Sequence, residues 1–162
     1  MSQNVEVILG KGTNALSFGM TTKEVISILG KADEIENMCL EEDSDEQSEV
    51  WHYDDLGLTL TFDDIDTWVL TSISSSAQTT TLNNTSLIGM SEDDIMKLIE
   101  DKILAVNEGI EVFENFADDI PDAKMISCPD NEISFWLDAD GVIEVQWGVL
   151  FESDEETIKW PS

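Results

Sequence analysis

The chain has 162 residues, enough for one domain with a full core, and its 41% hydrophobic content, with five Trp and six Phe, excludes a disordered chain. Acids outnumber bases 36 to seven, with no Arg and a formal charge of −29. That balance disfavours nucleic acid and anionic lipid, which are held by Lys and Arg clusters; a basic protein is the natural complement, although the same charge also serves solubility alone.

The opening Met1-Ser2-Gln3-Asn4-Val5-Glu6 has no basic n-region and no apolar h-region, so no signal peptide is expected. No apolar run reaches the length that spans a bilayer. Gly10-Lys11-Gly12-Thr13 is too short for a phosphate-cradling Walker loop and reads as a turn. At Phe18-Gly19-Met20-Thr21 a helix begins: Thr21 is an N-cap hydroxyl, Glu24 sits at N3 to complete a capping box, and an apolar stripe follows to Leu29. Gly30 is placed for a left-handed C-cap.

Asp33-Glu34-Ile35-Glu36 is expected to be a connection leading into Glu41-Glu42-Asp43-Ser44-Asp45-Glu46, an exposed acidic loop with too little apolar content to pack. Val50 to Tyr53 then reads as a strand, Asp54-Asp55-Leu56-Gly57 as a tight turn, and Leu58 to Phe62 as a strand with Leu58, Leu60 and Phe62 on one face. Asp63-Asp64-Ile65-Asp66 is expected to turn into Trp68 to Ser74, giving a helix followed by an antiparallel meander. The polar Ser74 to Thr81 is the predicted connection, with an edge strand as its alternative.

Seventy residues on, the pattern returns: Ile88-Gly89-Met90-Ser91 with Asp94 at N3 opens a helix expected from about Ser91 to Lys102. An insertion with Phe113, Phe116 and Pro121 follows, then strands at Met125 to Cys128, Glu132 to Leu137 and Val142 to Trp147, the last two joined by Asp138-Ala139-Asp140-Gly141. Leu137-Asp138 matches Phe62-Asp63. Such internal similarity predicts two copies of one supersecondary unit, residues 1–76 and 77–162, within a single compact domain. The fold class expected is α+β: two tandem helix-plus-antiparallel-meander repeats joined into one concave sheet. The acidic Glu152 to Glu156 is read as surface, with Trp160 as a residue able to dock back.

Phe-Gly-Met-Thr-x-x-x-Val-x-x-x-Leu-Gly over Phe18 to Gly30, with Gly89-Met90-Ser91 and the hairpin Phe135 to Trp147, resembles the β-lactamase-inhibitor-protein-like tandem-repeat fold, which the small outer-membrane assembly lipoproteins share. The resemblance covers most of the chain and implies a joined sheet platform that grips another protein. Three features are expected to depart from it. The secreted inhibitors carry a signal peptide and a disulfide in each repeat, and the lipoproteins a lipidated N-terminal Cys, and this sequence has none of these. The fold and binding style are therefore carried over, and the target is not.

Catalytic motifs are sparse. His52 is the only histidine, flanked by Trp51 and Tyr53, and reads as a strand residue before a catalytic base. No Gly-x-Ser-x-Gly elbow is present, and with 36 acids a carboxylate pair at a glycosidase spacing carries no signal. The closely spaced acids at Asp63 to Asp66 and Asp138 to Asp140 suit Ca²⁺ but suit hairpin turns better. Cys39 and Cys128 lack a C-x-x-C partner and fit a reducing cytoplasm, with a single bridge between them left open. Trp51, Trp68, Trp136 and Trp147 are either core or partner anchors.

The resulting expectation is a non-enzymatic cytoplasmic binding module without metal or cofactor, an inhibitor or immunity-type protein that occludes a basic partner such as a toxin or an enzyme. The expected contact residues are Glu41, Glu42, Asp43, Asp45, Glu46, Glu49, Asp54 and Asp55 for steering, and Trp51 and Tyr53 as anchors. The alternatives are mimicry of a phosphate backbone, an envelope assembly factor of the small-lipoprotein type, and an acid-based or metal-dependent hydrolase.

Overall fold

Two glycine turns fix where the helices start. In the computed structural model, which describes residues 5–8, 10–39, 47–64, 68–82, 85–99, 111–114, 123–128, 132–151 and 158–159, Gly19 and Gly89 take φ of 94° and 88°, a region open to glycine and strained for other residues. Each turn is pinned to a strand. Gly19 N–H donates to Leu70 O (2.8 Å) and Leu70 N–H to Met20 O (2.9 Å), while Gly89 N–H donates to Val142 O (2.7 Å) and Val142 N–H to Met90 O (2.9 Å). The caps then fire as the sequence predicts. Thr21 Oγ1 accepts from Glu24 N as Thr21 N donates to Glu24 Oε1, and Ser91 Oγ accepts from Asp94 N.

The described elements, in chain order, are β1 (Val5–Glu6), α1 (Thr22–Leu29), β2 (Glu34–Cys39), β3 (Gln47–Tyr53), a 3₁₀ turn (Asp54–Leu56), β4 (Leu58–Asp64), β5 (Trp68–Ser75), β6 (Thr80–Leu82), β7 (Thr85–Ser86), α2 (Glu92–Leu98), β8 (Glu111–Glu114), β9 (Lys124–Cys128), β10 (Ile133–Asp138), β11 (Gly141–Gly148), β12 (Leu150–Phe151) and β13 (Ile158–Lys159). One large antiparallel sheet runs β2-β3-β4-β5-β11-β10-β9-β8, beside small sheets β1-β6-β7 and β12-β13. β1 pairs in parallel with β6, so the small sheet crosses the boundary expected at residue 76.

Both meanders carry a bulge in the same place. Pairing passes from Thr61↔Ser72 to Phe62↔Leu70 in the first and from Trp136↔Glu144 to Leu137↔Val142 in the second, which leaves Thr71 and Ile143 as the extra residues. Leu70 and Val142, the residues that pin the glycine turns, each precede the extra residue. One face of the sheet is the core. Leu60, Phe62, Leu70 and Ile73 meet Phe135, Leu137, Val145 and Trp147, and Val25 of α1 with Ile95 and Leu98 of α2 close over them. Each such side chain contributes roughly 1.5–3 kcal/mol when fully buried.

Several expectations need correction. Glu34-Ile35-Glu36 belongs to strand β2, an edge strand paired along its length with β3, and Phe113 lies in β8, the opposite edge. Asp63 and Asp64 end β4 rather than opening a turn, because Asp63 pairs with both Ser48 and Val69. The tight turn expected at Asp54-Asp55-Leu56-Gly57 is present, as a 3₁₀ turn closed by a left-handed Gly57. The predicted end of the second helix, the Glu152–Glu156 run and Trp160 lie outside the described residues. Cys39 ends β2 and Cys128 ends β9. Among the described residues no helix is long and apolar enough to cross a membrane.

The turn glycines give a graded test. At Gly89 an added Cβ would meet nothing within 4 Å, so Gly89→Ala should cost only its backbone strain, about 1–2 kcal/mol. At Gly141, with φ +119°, the same Cβ would sit 2.6 Å from Met90 O and 2.9 Å from Gly89 O, so Gly141→Ala should cost roughly 3 kcal/mol or more. Urea denaturation of both variants checks the order; equal losses would show that the turn is not clamped on β11.

Candidate functional site

The face of the sheet opposite the helices is polar, because strand alternation that sends Leu60, Phe62 and Ile73 to the core sends hydroxyls, amides and carboxylates the other way. These side chains bond across strands. Ser74 Oγ donates to Glu144 Oε1 (2.7 Å), Gln146 Nε2 to Ser72 Oγ (3.2 Å) and Ser134 Oγ to Ser127 Oγ (3.4 Å). Asp63 is the centre of this network: its Oδ1 accepts from Ser48 of β3 and its Oδ2 from Thr71 of β5 (2.5 Å). The bulge makes the second bond possible, since the extra residue places Thr71 beside Ser72 on the polar side.

Where β4, β5, β11 and β10 come together, this face holds a cavity of about 390 Å³ lined by Asp63, Thr71, Ser127, Glu132, Ser134 and Gln146, among others. Glu132 stands at its wall with φ 51°, the one positive φ of a non-glycine residue among the described residues, and its carbonyl accepts from Gly148 N (3.0 Å). Glu132 is exposed as a residue, and partial desolvation of its carboxyl pushes it above the usual glutamate range. Neither Asp63 nor Glu132 stood out in the sequence as a contact residue. They are 69 positions apart and meet only through the pairing of β5 with β11.

Of the predicted contact residues, Glu49, Trp51, Tyr53, Asp54 and Asp55 lie among the described residues. Trp51 and Tyr53 are each 4% exposed and belong to the core: Trp51 packs on Phe62 with ring centroids 4.6 Å apart, and Tyr53 Oη donates to Gly30 O (2.9 Å). Neither ring is available as an anchor, because the parity of β3 turns Ser48 and His52 to the polar face and the aromatics inward. Burial, then the charge of Asp33, raises the Tyr53 hydroxyl above its ordinary value. Glu49 accepts from Trp51 Nε1 (3.0 Å). Asp54 is exposed, with its N–H bonded to Asp33 Oδ2 (2.7 Å), and Asp55 lies in the 3₁₀ turn. Glu41, Glu42, Asp43, Asp45 and Glu46 lie outside the described residues. Trp147 is core, its Nε1 donating to Gly12 O (2.7 Å), and Trp68 is packed against the core; Trp136 alternates outward on β10, half-buried beside Met125 and Glu144.

Among the described residues, the side chains able to share a metal are Glu34, Glu36 and His52, whose ligand atoms lie within 4.8 Å of one another. Glu34 pairs with His52 across β2 and β3, and His52 Nε2 stands 3.7 Å from Glu36 Oε1. Both acids are exposed, and the arrangement equally suits a solvated ion pair. No protein-family model matches this sequence, and neither a curated protein nor a solved structure matches it.

The raised carboxyl sets a pH dependence. A folded-state pKa above the unfolded one means the native protein holds the proton longer, so stability falls as pH rises from the ordinary glutamate value, 4.5, to the raised one. Glu132→Gln should therefore gain stability relative to the parent as pH is raised from 4 to 7, and match it near pH 4. Thermal melts across that range check the sign; a constant difference would remove the burial account.

Proposed function

We propose that this chain is a non-enzymatic protein-binding module that occludes a basic protein, in the manner of an inhibitor or immunity-type protein. The observation that carries the reading is the polar face: it presents Asp63, Glu132 and Glu144, and among the described residues its cavity is lined by no lysine or histidine. A surface of uncompensated acids attracts a cationic partner over several ångströms and penalises an anionic one.

The two halves are read as copies of one unit. The matched glycine turns, their matched pins at Leu70 and Val142, and the matched bulges at Thr71 and Ile143 support that reading, as does the resemblance to the β-lactamase-inhibitor-protein-like fold. On this view the joined sheet is the platform, Trp136 supplies an aromatic anchor in place of Trp51 and Tyr53, and the acids from Glu41 to Glu49 with Asp54 steer approach. A cytoplasmic setting agrees with two cysteines that lack a C-x-x-C partner. An acid-based hydrolase draws support only from the raised Glu132 carboxyl; Asp63, its neighbour in the cavity, is held by two hydroxyls, and the lining offers no histidine or cysteine.

Capture of the tagged protein's partners from its own source cells, at low and high salt with quantitative mass spectrometry, tests the reading. One basic protein recovered stoichiometrically and weakened by salt is the expected result; no partner at either salt would overturn it. With that partner in hand, Glu41→Lys, Glu42→Lys, Asp43→Lys and Asp45→Lys together should slow association at least tenfold at low salt in stopped-flow measurements, and an unchanged rate would end the steering mechanism.

A further inference from the structure

We propose that the cavity between β4, β5, β11 and β10 is a socket for one arginine side chain of a protein partner, with Asp63 and Glu132 as its counter-charges; this rests on the reading of the chain as a binder of basic proteins. The cavity fits that occupant in size and chemistry. Its volume, about 390 Å³, lies at the small end of the ~300–1,000 Å³ range of ligand sites, roomy for one long side chain and too small for an element of structure.

The acceptors suit a guanidinium. Five N–H donors in a planar fork need several oxygens at different directions, and the wall offers two carboxylates, the hydroxyls of Thr71, Ser127 and Ser134, and the Gln146 amide, whose nitrogen is already engaged with Ser72. Each oxygen of Asp63 accepts one hydroxyl and retains a second lone pair, so its charge is held in place without being neutralised. Glu132 is an exposed residue at the rim of the cavity, and partial desolvation raises its carboxyl. Glu132 is also the residue with the left-handed backbone, a conformation costing about 1–2 kcal/mol that recurs where structure holds a side chain for binding. The chain has no arginine of its own, and none of its lysines lines the cavity among the described residues.

The test titrates the full ¹⁵N-labelled chain with ethylguanidinium chloride, with ethylammonium chloride and sodium chloride at matched ionic strength. Saturable shifts at Thr71, Ser127, Ser134 and the Gln146 side-chain amide, with a millimolar midpoint and at least threefold weaker binding of ethylammonium, are expected. Glu132 enters no side-chain hydrogen bond or ion pair among the described residues, so Glu132→Gln should keep the fold and weaken the probe at least fivefold; Asp63→Asn should do the same with its hydroxyl partners retained. Shifts that do not saturate, that spread evenly over exposed acids, or that survive Glu132→Gln would overturn the socket. The two proposals fail separately: a basic partner captured equally well by Glu132→Gln removes the socket and leaves the binder, whereas probe binding with no protein captured at either salt removes the protein-borne arginine.

Discussion

The structure depends on one ladder, the antiparallel pairing of β5 with β11 over Ser72 to Ser75 and Val145 to Gly148. Without it there would be two four-stranded meanders, each with an extra open edge of the kind that invites wrong pairing. The ladder is reinforced on its polar side by Ser74 with Glu144 and Gln146 with Ser72, and its end is drawn in by Val149 N donating to Thr71 O (3.1 Å). Gly148 permits that closeness: a Cβ there would stand 3.1 Å from Thr71 O. From the same strand Trp147 reaches down to Gly12 O and ties the N-terminal loop to the core. The bulged residue, the loop and the cavity thus share one support.

Local chemistry was legible in the sequence and long-range geometry was not. Thr21, Glu24 and Ser91 act within one turn of themselves, so their spacing declared both helices. Leu58, Leu60 and Phe62 declared their strand by alternation. In β2 the same alternation was hidden, because Glu34 and Glu36 flank an Ile35 that is half exposed; an edge strand buries too little to leave an apolar signature. In Val50 to Tyr53 a strand was readable, yet its parity was not: apolar and polar candidates stand on both faces, and the larger buried area of Trp51 and Tyr53 decided it. Asp63 read as a turn former, and pairing with Ser48 and Val69 overrode that preference. The cavity could not be read at all, since nothing in the spacing of Asp63 and Glu132 encodes the ladder that joins them.

The charge takes its meaning from this arrangement. The Lys124–Glu92 pair, two bonds of 3.0 and 2.9 Å, is at a partly exposed site, and such pairs contribute about 1 kcal/mol or less. The acids therefore do little to hold the fold, which rests on the apolar cluster beneath the sheet. Most of the acids whose burial is described stand in solvent, where repulsion is weakened by salt.

Asp63 is different. Its carboxylate is half-buried at the sheet surface and held by the hydroxyls of Ser48 and Thr71. Its two oxygens each accept one hydroxyl, which fixes the carboxylate's orientation without neutralising its charge. A cation arriving at the polar face meets a carboxylate already fixed in place, so less ordering is needed than at a freely moving acid. The surplus of surface acids raises the local concentration of such cations, and the few acids fixed in the sheet decide where one of them docks.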